Sequence, residues 1–196
     1  MEIYKGTKFK TLLTDYPNSY SEEVELLKYW CQFYSLFRLA PRHESGSFGN
    51  LSFRNSKNEI FITKTGLDLG SEISNEDFIK IENCDFEAFT LYANGKFNPS
   101  SESMLHYFIY EKRADVNAIF HGHNDSFCNK VIEKGFPETI EETPYGTIEL
   151  VESVIPLINN DIFVIKNHGF VITAKSIETA GLTTKSILNL IQNTSL

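Results

Sequence analysis

No stretch of this 196-residue chain approaches the ~20 consecutive apolar residues that a bilayer-spanning helix needs, and residues 1–6 carry no apolar signal region. Neither a membrane protein nor an exported one is expected. Cysteine is scarce: Cys31, Cys84 and Cys128 are odd in number, widely spaced and without a C-x-x-C pair. That excludes a disulfide framework and fits free thiols in a reducing cytoplasm. Cys128 reads as a core residue rather than a ligand, because free cysteine is among the most buried residue types. Positive charge is also short. Eighteen Lys and Arg face 26 Asp and Glu, a net charge of −8 at neutral pH. Nucleic acid and anionic membranes are therefore poor partners. A small anionic substrate is not excluded, since it needs only a local cluster of backbone N–H groups and one or two cations. There is no repeat, no low-complexity segment and no linker-like stretch.

What is present is a globular composition, 41% apolar and 13% aromatic. Residues 1–20 read as a polar, irregular arm and residues 21–196 as a single domain. Apolar residues at helical spacing (Leu27, Trp30, Cys31, Tyr34, Phe37) predict a helix over residues 22–39, closed by Pro41. Residues 48–54 and 59–63 flank Asn55-Ser56-Lys57-Asn58 and predict a β-hairpin. A strand is expected over 77–83 and a turn over 92–96. Ser100 is placed to cap a helix reaching about Lys112. A strand over 116–120 and a helix over 124–134 follow. A helix is expected over 147–157, and a hairpin of 162–166 with 170–173. A last helix opens after Ser176 and runs over 177–192. Strands in hairpins with helices outside them give a layered α/β domain.

Only five histidines occur, and three sit at glycine-flanked ends of apolar runs. His121-Gly122-His123 ends the strand over 116–120. Residues i and i+2 of a strand share a face, so the two imidazoles can grip one metal ion. His168 follows residues 162–165 in Asn167-His168-Gly169, and Glu102 lies upstream in Pro99-Ser100-Ser101-Glu102. Three neutral nitrogens and an open position form the pattern of a catalytic zinc site. A His-x-His pair is also met as two hydrogen-bonded histidines at a strand end, and as part of a cupin-like oxygenase centre. The latter would need a glutamate soon after His123, where Asn124, Asp125, Ser126 and Phe127 stand. His106 reads as a partly buried helix histidine. Three turns of small residues, Gly46-Ser47-Phe48-Gly49-Asn50, Thr65-Gly66 and Ser100-Ser101, could hold phosphate if the fold brought them together.

The order of these motifs carries a resemblance. Gly49-Asn50-Leu51-Ser52, Ile62-Thr63-Lys64-Thr65-Gly66, Gly95-Lys96-Phe97 with Pro99-Ser100-Ser101-Glu102, His121-Gly122-His123, Gly146-Thr147-Ile148-Glu149-Leu150 and Asn167-His168-Gly169 follow one another with fitting gaps. The chain over residues 22–193 resembles the class II aldolase/adducin family, which includes fuculose-1-phosphate aldolase and ribulose-5-phosphate 4-epimerase. The resemblance implies a layered α/β/α fold with a largely antiparallel central sheet, and a homotetramer with sites near subunit contacts. It implies zinc on His121, His123 and His168, Glu102 as acid/base, and substrate phosphate on Asn50, Thr65, Gly66, Ser100 and Ser101. The expected activity is aldolase-type C–C cleavage through a metal-stabilised enediolate, on a small phosphorylated sugar or keto compound. Decarboxylase, dehydratase and epimerase chemistry, or a non-catalytic adducin-like interaction module, are the alternatives. Ser-Ser-Glu, where the epimerase has Ser-Ser-Asp, leans toward aldolase chemistry. Two departures stand out. Lys64 replaces a family proline and could add a cation to the phosphate pocket. The stretch over 124–145 is shorter than in the fuculose enzyme, and no tyrosine-bearing tail follows the last helix. The second acid/base is thus unassigned, with Tyr4, Tyr16, Tyr20 and Tyr145 as candidates. One tryptophan, nine tyrosines and sixteen phenylalanines also exceed what one small domain covers, which agrees with self-association.

Overall fold

A computed structural model of the chain describes residues 6–20 and 22–193. The elements run β1 (Lys10–Thr14), α1 (Glu23–Leu36), β2 (Arg42–His43), β3 (Gly46–Ser47), β4 (Asn50–Arg54), β5 (Ile60–Thr63), β6 (Phe78–Asp85), β7 (Thr90–Asn94), α2 (Ser103–Lys112), β8 (Ala118–Gly122), α3 (Asp125–Glu133), α4 (Ile148–Val154), β9 (Ile162–Ile165), β10 (Gly169–Ala174) and α5 (Ile177–Asn193). Eight strands form one sheet in the order β1-β7-β6-β5-β4-β8-β10-β9, and β2 pairs with β3 separately. Within the large sheet β1 and β7 are parallel, and the other pairs are antiparallel. The fold is the layered α/β arrangement expected from the alternation of hairpins and helices.

Alternation along the strands builds a core on each face. Leu51 and Phe53 of β4, Ala118 and Phe120 of β8, and Phe170 and Ile172 of β10 pack against α1, α3 and α5. Ile119 of β8, Phe163 of β9 and Val171 of β10 point the other way, onto Met104, Leu105 and Ile109 of α2 and Leu150 and Val151 of α4. β4 breaks the apolar pattern on this second face. Its Asn50 and Ser52 are buried polar residues and stand beside His121 and Ile119 of β8 in the ladder.

Several local expectations are corrected. Residues 10–14, read as irregular, form an edge strand. Leu12 and Leu13 are both about two-fifths exposed, so backbone pairing with β7 holds it rather than an inward apolar face. Residues 1–5, including Tyr4, lie outside the described residues. Residues 90–94 are a strand, of which only the end reads as a turn in sequence. Its inward side chains include just Leu91 and Ala93 ahead of Asn94-Gly95, too few to show a period. The helix over 22–39 stops at Leu36, because Arg38 takes a left-handed φ of 55° and the Leu39 N–H turns back to the Tyr34 carbonyl. α2 starts at Ser103, not directly after Ser100. The Ser100 carbonyl accepts from the Ser103 N–H, and Ser100 to Glu102 make a turn in front of the helix. Asn124 and Ser176 do cap their helices, through Phe127 N–H at 2.8 Å and Thr179 N–H at 3.1 Å.

Phe120 is the centre of the first core, fully buried with ring centroids 5.6 Å from Tyr34 and 6.1 Å from Trp30. Phe120→Ala is expected to lower the unfolding free energy by about 3–5 kcal/mol. Denaturant titration followed by far-UV circular dichroism measures this directly.

Candidate functional site

Adjacent strands bring the polar residues together. Asn50 of β4 is the ladder partner of His121 of β8, and Val171 of β10 lies on the other side of His121. The β9–β10 hairpin turns at Asn167, whose φ is 56°, and presents His168 at its tip. Gly169 is required there: a Cβ would lie 2.3 Å from the Gly122 carbonyl oxygen. Glu102 projects from the turn that opens α2. It is 4% exposed and does not cap its own helix.

The carboxylate of Glu102 is the hub. Oε1 accepts from His168 Nε2 at 2.6 Å, and Oε2 lies 3.0 Å from His121 Nε2 and accepts from Asn50 Nδ2 at 2.7 Å. Nε2 of His121 and Nε2 of His123 are 2.9 Å apart. One ligand atom from each of Glu102, His121, His123 and His168 lies within 4.8 Å of the others, so the four can hold a metal ion. Ring orientation fits that use. His121 Nδ1 lies 2.8 Å from the Phe170 carbonyl oxygen, which accepts its proton, so Nε2 is the atom that faces the cluster and that could ligate once its own proton is lost. His123 stacks on Phe48 at 5.4 Å.

Electrostatics agree. Burial alone would raise the Glu102 carboxyl, but the imidazoles of His121 and His168 hold it well below the usual carboxylate range, so it stays ionised. Burial, then His121 and His168, push His123 well below an ordinary imidazole and keep it neutral, the form that ligates metal.

Glu102, His123 and His168 face a cavity of about 1080 Å³ whose walls also include Asn50, Lys64, Thr65, Gly66, Ser100 and Ser101, with His121 buried behind them. The three small-residue turns thus converge. Gly66 has a φ of +66°, and Gly46 packs so closely that a Cβ on it would meet the Gly66 carbonyl carbon at 2.5 Å. The backbone N–H groups of Thr65 and Ser100 are already donated to the carbonyls of Asn98 and Thr63. Lys64 lies in the wall, but its Nζ pairs with Asp77 at 2.7 Å and sits over Phe97. Its charge is matched within the protein. Tyr145 also lines the cavity, its hydroxyl donating to the Gly6 carbonyl at 3.3 Å. Tyr16 is 71% exposed and Tyr20 packs on Phe61. Cys128, expected in the core, is half-buried, packs against the first core and borders the cavity.

Comparison with known proteins now decides the family. The model of the Class II Aldolase and Adducin N-terminal domain matches residues 31–192. This chain belongs to that family. An L-fuculose phosphate aldolase of Methanococcus maripaludis (strain C5) is 34% identical over 162 residues, 75% of this chain and 83% of the relative. A solved L-fuculose 1-phosphate aldolase superposes with a TM-score of 0.69 at 21% identity, covering 89% of this chain and 85% of its own. An l-fuculose-1-phosphate aldolase from Thermus thermophilus gives 0.64 at 18%, covering 86% and 90%. The class II aldolase fold is therefore shared, and the chain is an aldolase-type enzyme.

The sequence reading missed one part of this class II aldolase's polar interior. His106 is fully buried rather than partly so, with Nδ1 2.7 Å from Ser52 Oγ. Its spacing of four from Glu102 was the available signal. Burial lowers its pKa to about 3 from an ordinary value of 6.5. Between these values the unfolded chain carries a proton on His106 that the folded chain does not. Stability therefore rises with pH through that window and is lost as pH falls, by about 1.4 kcal/mol per pH unit for this one group. Unfolding free energies of wild type and His106→Gln, measured from pH 7 to pH 4, should converge by that slope as pH falls.

Proposed function

We propose that this chain is a zinc-dependent lyase that cleaves a C–C bond in a small phosphorylated sugar or keto compound, as a homotetramer in the cytoplasm. The observation that carries the reading is the convergence of Glu102, His121, His123 and His168 in one cluster, three of whose members, Glu102, His123 and His168, line the cavity that the three small-residue turns also line. The names of the relatives support the substrate class: those proteins are L-fuculose phosphate aldolases. Zinc suits three imidazole nitrogens and a carboxylate. When bound, it supplies Lewis-acid stabilisation of negative charge developing on a substrate oxygen.

The chain's own residues do the rest. His121, His123 and His168 hold the metal through their Nε2 or Nδ1 atoms. With His168 Nε2 on the metal, Glu102 would lose that hydrogen bond, take the proton of the hydroxyl on the carbon that departs as the carbonyl fragment, and deliver it to the enediolate carbon that receives the electron pair of the broken C–C bond. Its ionised state makes it a base from the start. Ser100, Ser101, Thr65 and Gly66 hold the phosphate by dipoles, with Asn50 offering its second amide N–H. Lys64 is the weakest member, because Asp77 holds its ammonium. Apolar side chains left on the surface, among them Tyr29, Leu36, Phe37 and Leu182, suit contacts between subunits.

Metal analysis of purified protein with an activity screen over phosphorylated ketoses and keto acids tests the reading. One zinc per chain is expected, lost in His168→Ala. Glu102→Gln should keep the metal and lose turnover by about 10²–10⁴-fold. A variant with full turnover would assign the proton transfer elsewhere. A second outcome concerns the anion subsite: the phosphorylated form of the preferred substrate should be cleaved far faster than the unphosphorylated one. Equal rates would remove the phosphate role of Ser100, Ser101, Thr65 and Gly66.

A further inference from the structure

β4 and α2 lie alongside each other, and their side chains meet in successive rungs. Asn50 Nδ2 holds Glu102 Oε2 at 2.7 Å. Ser52 Oγ lies 2.7 Å from His106 Nδ1 and 2.9 Å from the Tyr110 hydroxyl. The Arg54 guanidinium donates to the carbonyls of Tyr110 at 3.1 Å and Arg113 at 3.0 Å. The spacing is commensurate. Two strand residues advance about 6.6 Å and four helical residues about 6 Å, so positions 50, 52 and 54 keep step with 102, 106 and 110. Ser52, His106 and Tyr110 are each no more than 2% exposed.

We propose that Ser52, with His106 and Tyr110, is a positioning rung that sets the register of α2 on β4 and so places the Glu102 carboxylate against His121 and His168. Apolar contacts are non-directional, so Met104, Leu105 and Ile109 of α2 bury area without fixing a helix along its own axis. Buried hydrogen bonds do fix it, because a shift of one helical residue, about 1.5 Å, would strand polar groups away from water. Ser52 has one donor and two acceptor positions, enough for both partners. β4 is the common reference for the centre. It pairs with β8, which carries His121, and grips the helix that Glu102 precedes. This role rests on the proposed metal-and-carboxylate centre, but it acts before any metal or substrate binds.

The test therefore starts with metal-free protein. The proton between His168 Nε2 and Glu102 Oε1, 2.6 Å apart, should give a downfield imidazole N–H resonance. In Ser52→Ala that resonance is expected to vanish or move. In Tyr110→Phe, which keeps the bond from Ser52 to His106, it should move less. With the metal-loaded enzyme, Ser52→Ala should lower kcat on the order of 10²-fold with KM little changed, the signature of a misplaced base rather than of lost binding. A Ser52→Ala protein with a lowered unfolding midpoint but the parental resonance and kcat would overturn the proposal and leave the rung a purely structural one. If Ser52→Ala does not fold, Tyr110→Phe decides: an unshifted resonance with parental kcat refutes the role. If the wild-type enzyme shows no lyase turnover, the proposed reaction fails, and the metal-free resonance still decides the rung.

Discussion

A carboxylate buried at 4% exposure is the constraint from which the rest of the structure follows. Removing such a charge from water costs several kcal/mol unless partners replace the lost solvent. Around Glu102 the partners are an amide and two imidazoles, drawn from β4, β8 and the β9–β10 turn. Three separate segments must therefore arrive at one point with correct orientation. That requirement explains why the second face of β4 carries Asn50 where an apolar residue would otherwise pack. It also explains why glycines stand where β8 and β10 meet, since a side chain at Gly169 would collide with the Gly122 carbonyl and crowd the His121 ring.

Stability and chemistry are divided between the faces of the sheet. The face covered by α1, α3 and α5 is apolar from Val24 to Ile187, with stacked aromatics at Phe53 and Phe61 and at Phe127 and Phe170. The face covered by α2 and α4 holds a second apolar cluster, interrupted by a polar stripe that runs from Asn50 to Arg54. The first face can therefore support the fold while the second tolerates the strain of grouped imidazoles. Substitutions in the two cores should separate accordingly, with stability effects dominant on the first and activity effects entering on the second.

The parts legible in the sequence are those where a local pattern and a long-range contact agree. His121 and His123 lie two apart at a strand end, and His168 lies between two apolar runs, so their coming together follows from period two and a hairpin. Buried runs such as Ile162–Ile165 are apolar on both sides and announce themselves. β1 does not, because its pairing uses backbone groups and leaves Leu12 and Leu13 substantially exposed. The end of α1 is hidden for a different reason. Arg38 adopts a left-handed conformation that glycine would have signalled and arginine does not. Lys64 shows the limit of a single motif: the chain position places it at the cavity, but its partner Asp77 comes from a segment that no spacing rule connects to it. The rung of Ser52, His106 and Tyr110 lies between these cases. The helix and the strand over 48–54 were each visible, and what the sequence did not show was that they face each other.

The pairing of Lys64 also bears on how the proposed site would manage charge. With that ammonium engaged by Asp77, the turns that line the cavity offer hydroxyls and amides rather than a free lysine at this point. Dipoles of this kind bind a phosphate without the long-range attraction of a full charge, and they impose direction on it. A divalent ion on the histidines would add its charge, opposite an ionised Glu102, to those of Arg38 and Arg42, which also border the cavity, Arg42 being paired with Asp68 at 2.9 Å. Such a division would orient the substrate between its anchored anion and its reacting carbon. It would also make the position of one carboxylate, which we propose the grip of β4 on α2 sets, the quantity on which proton transfer depends.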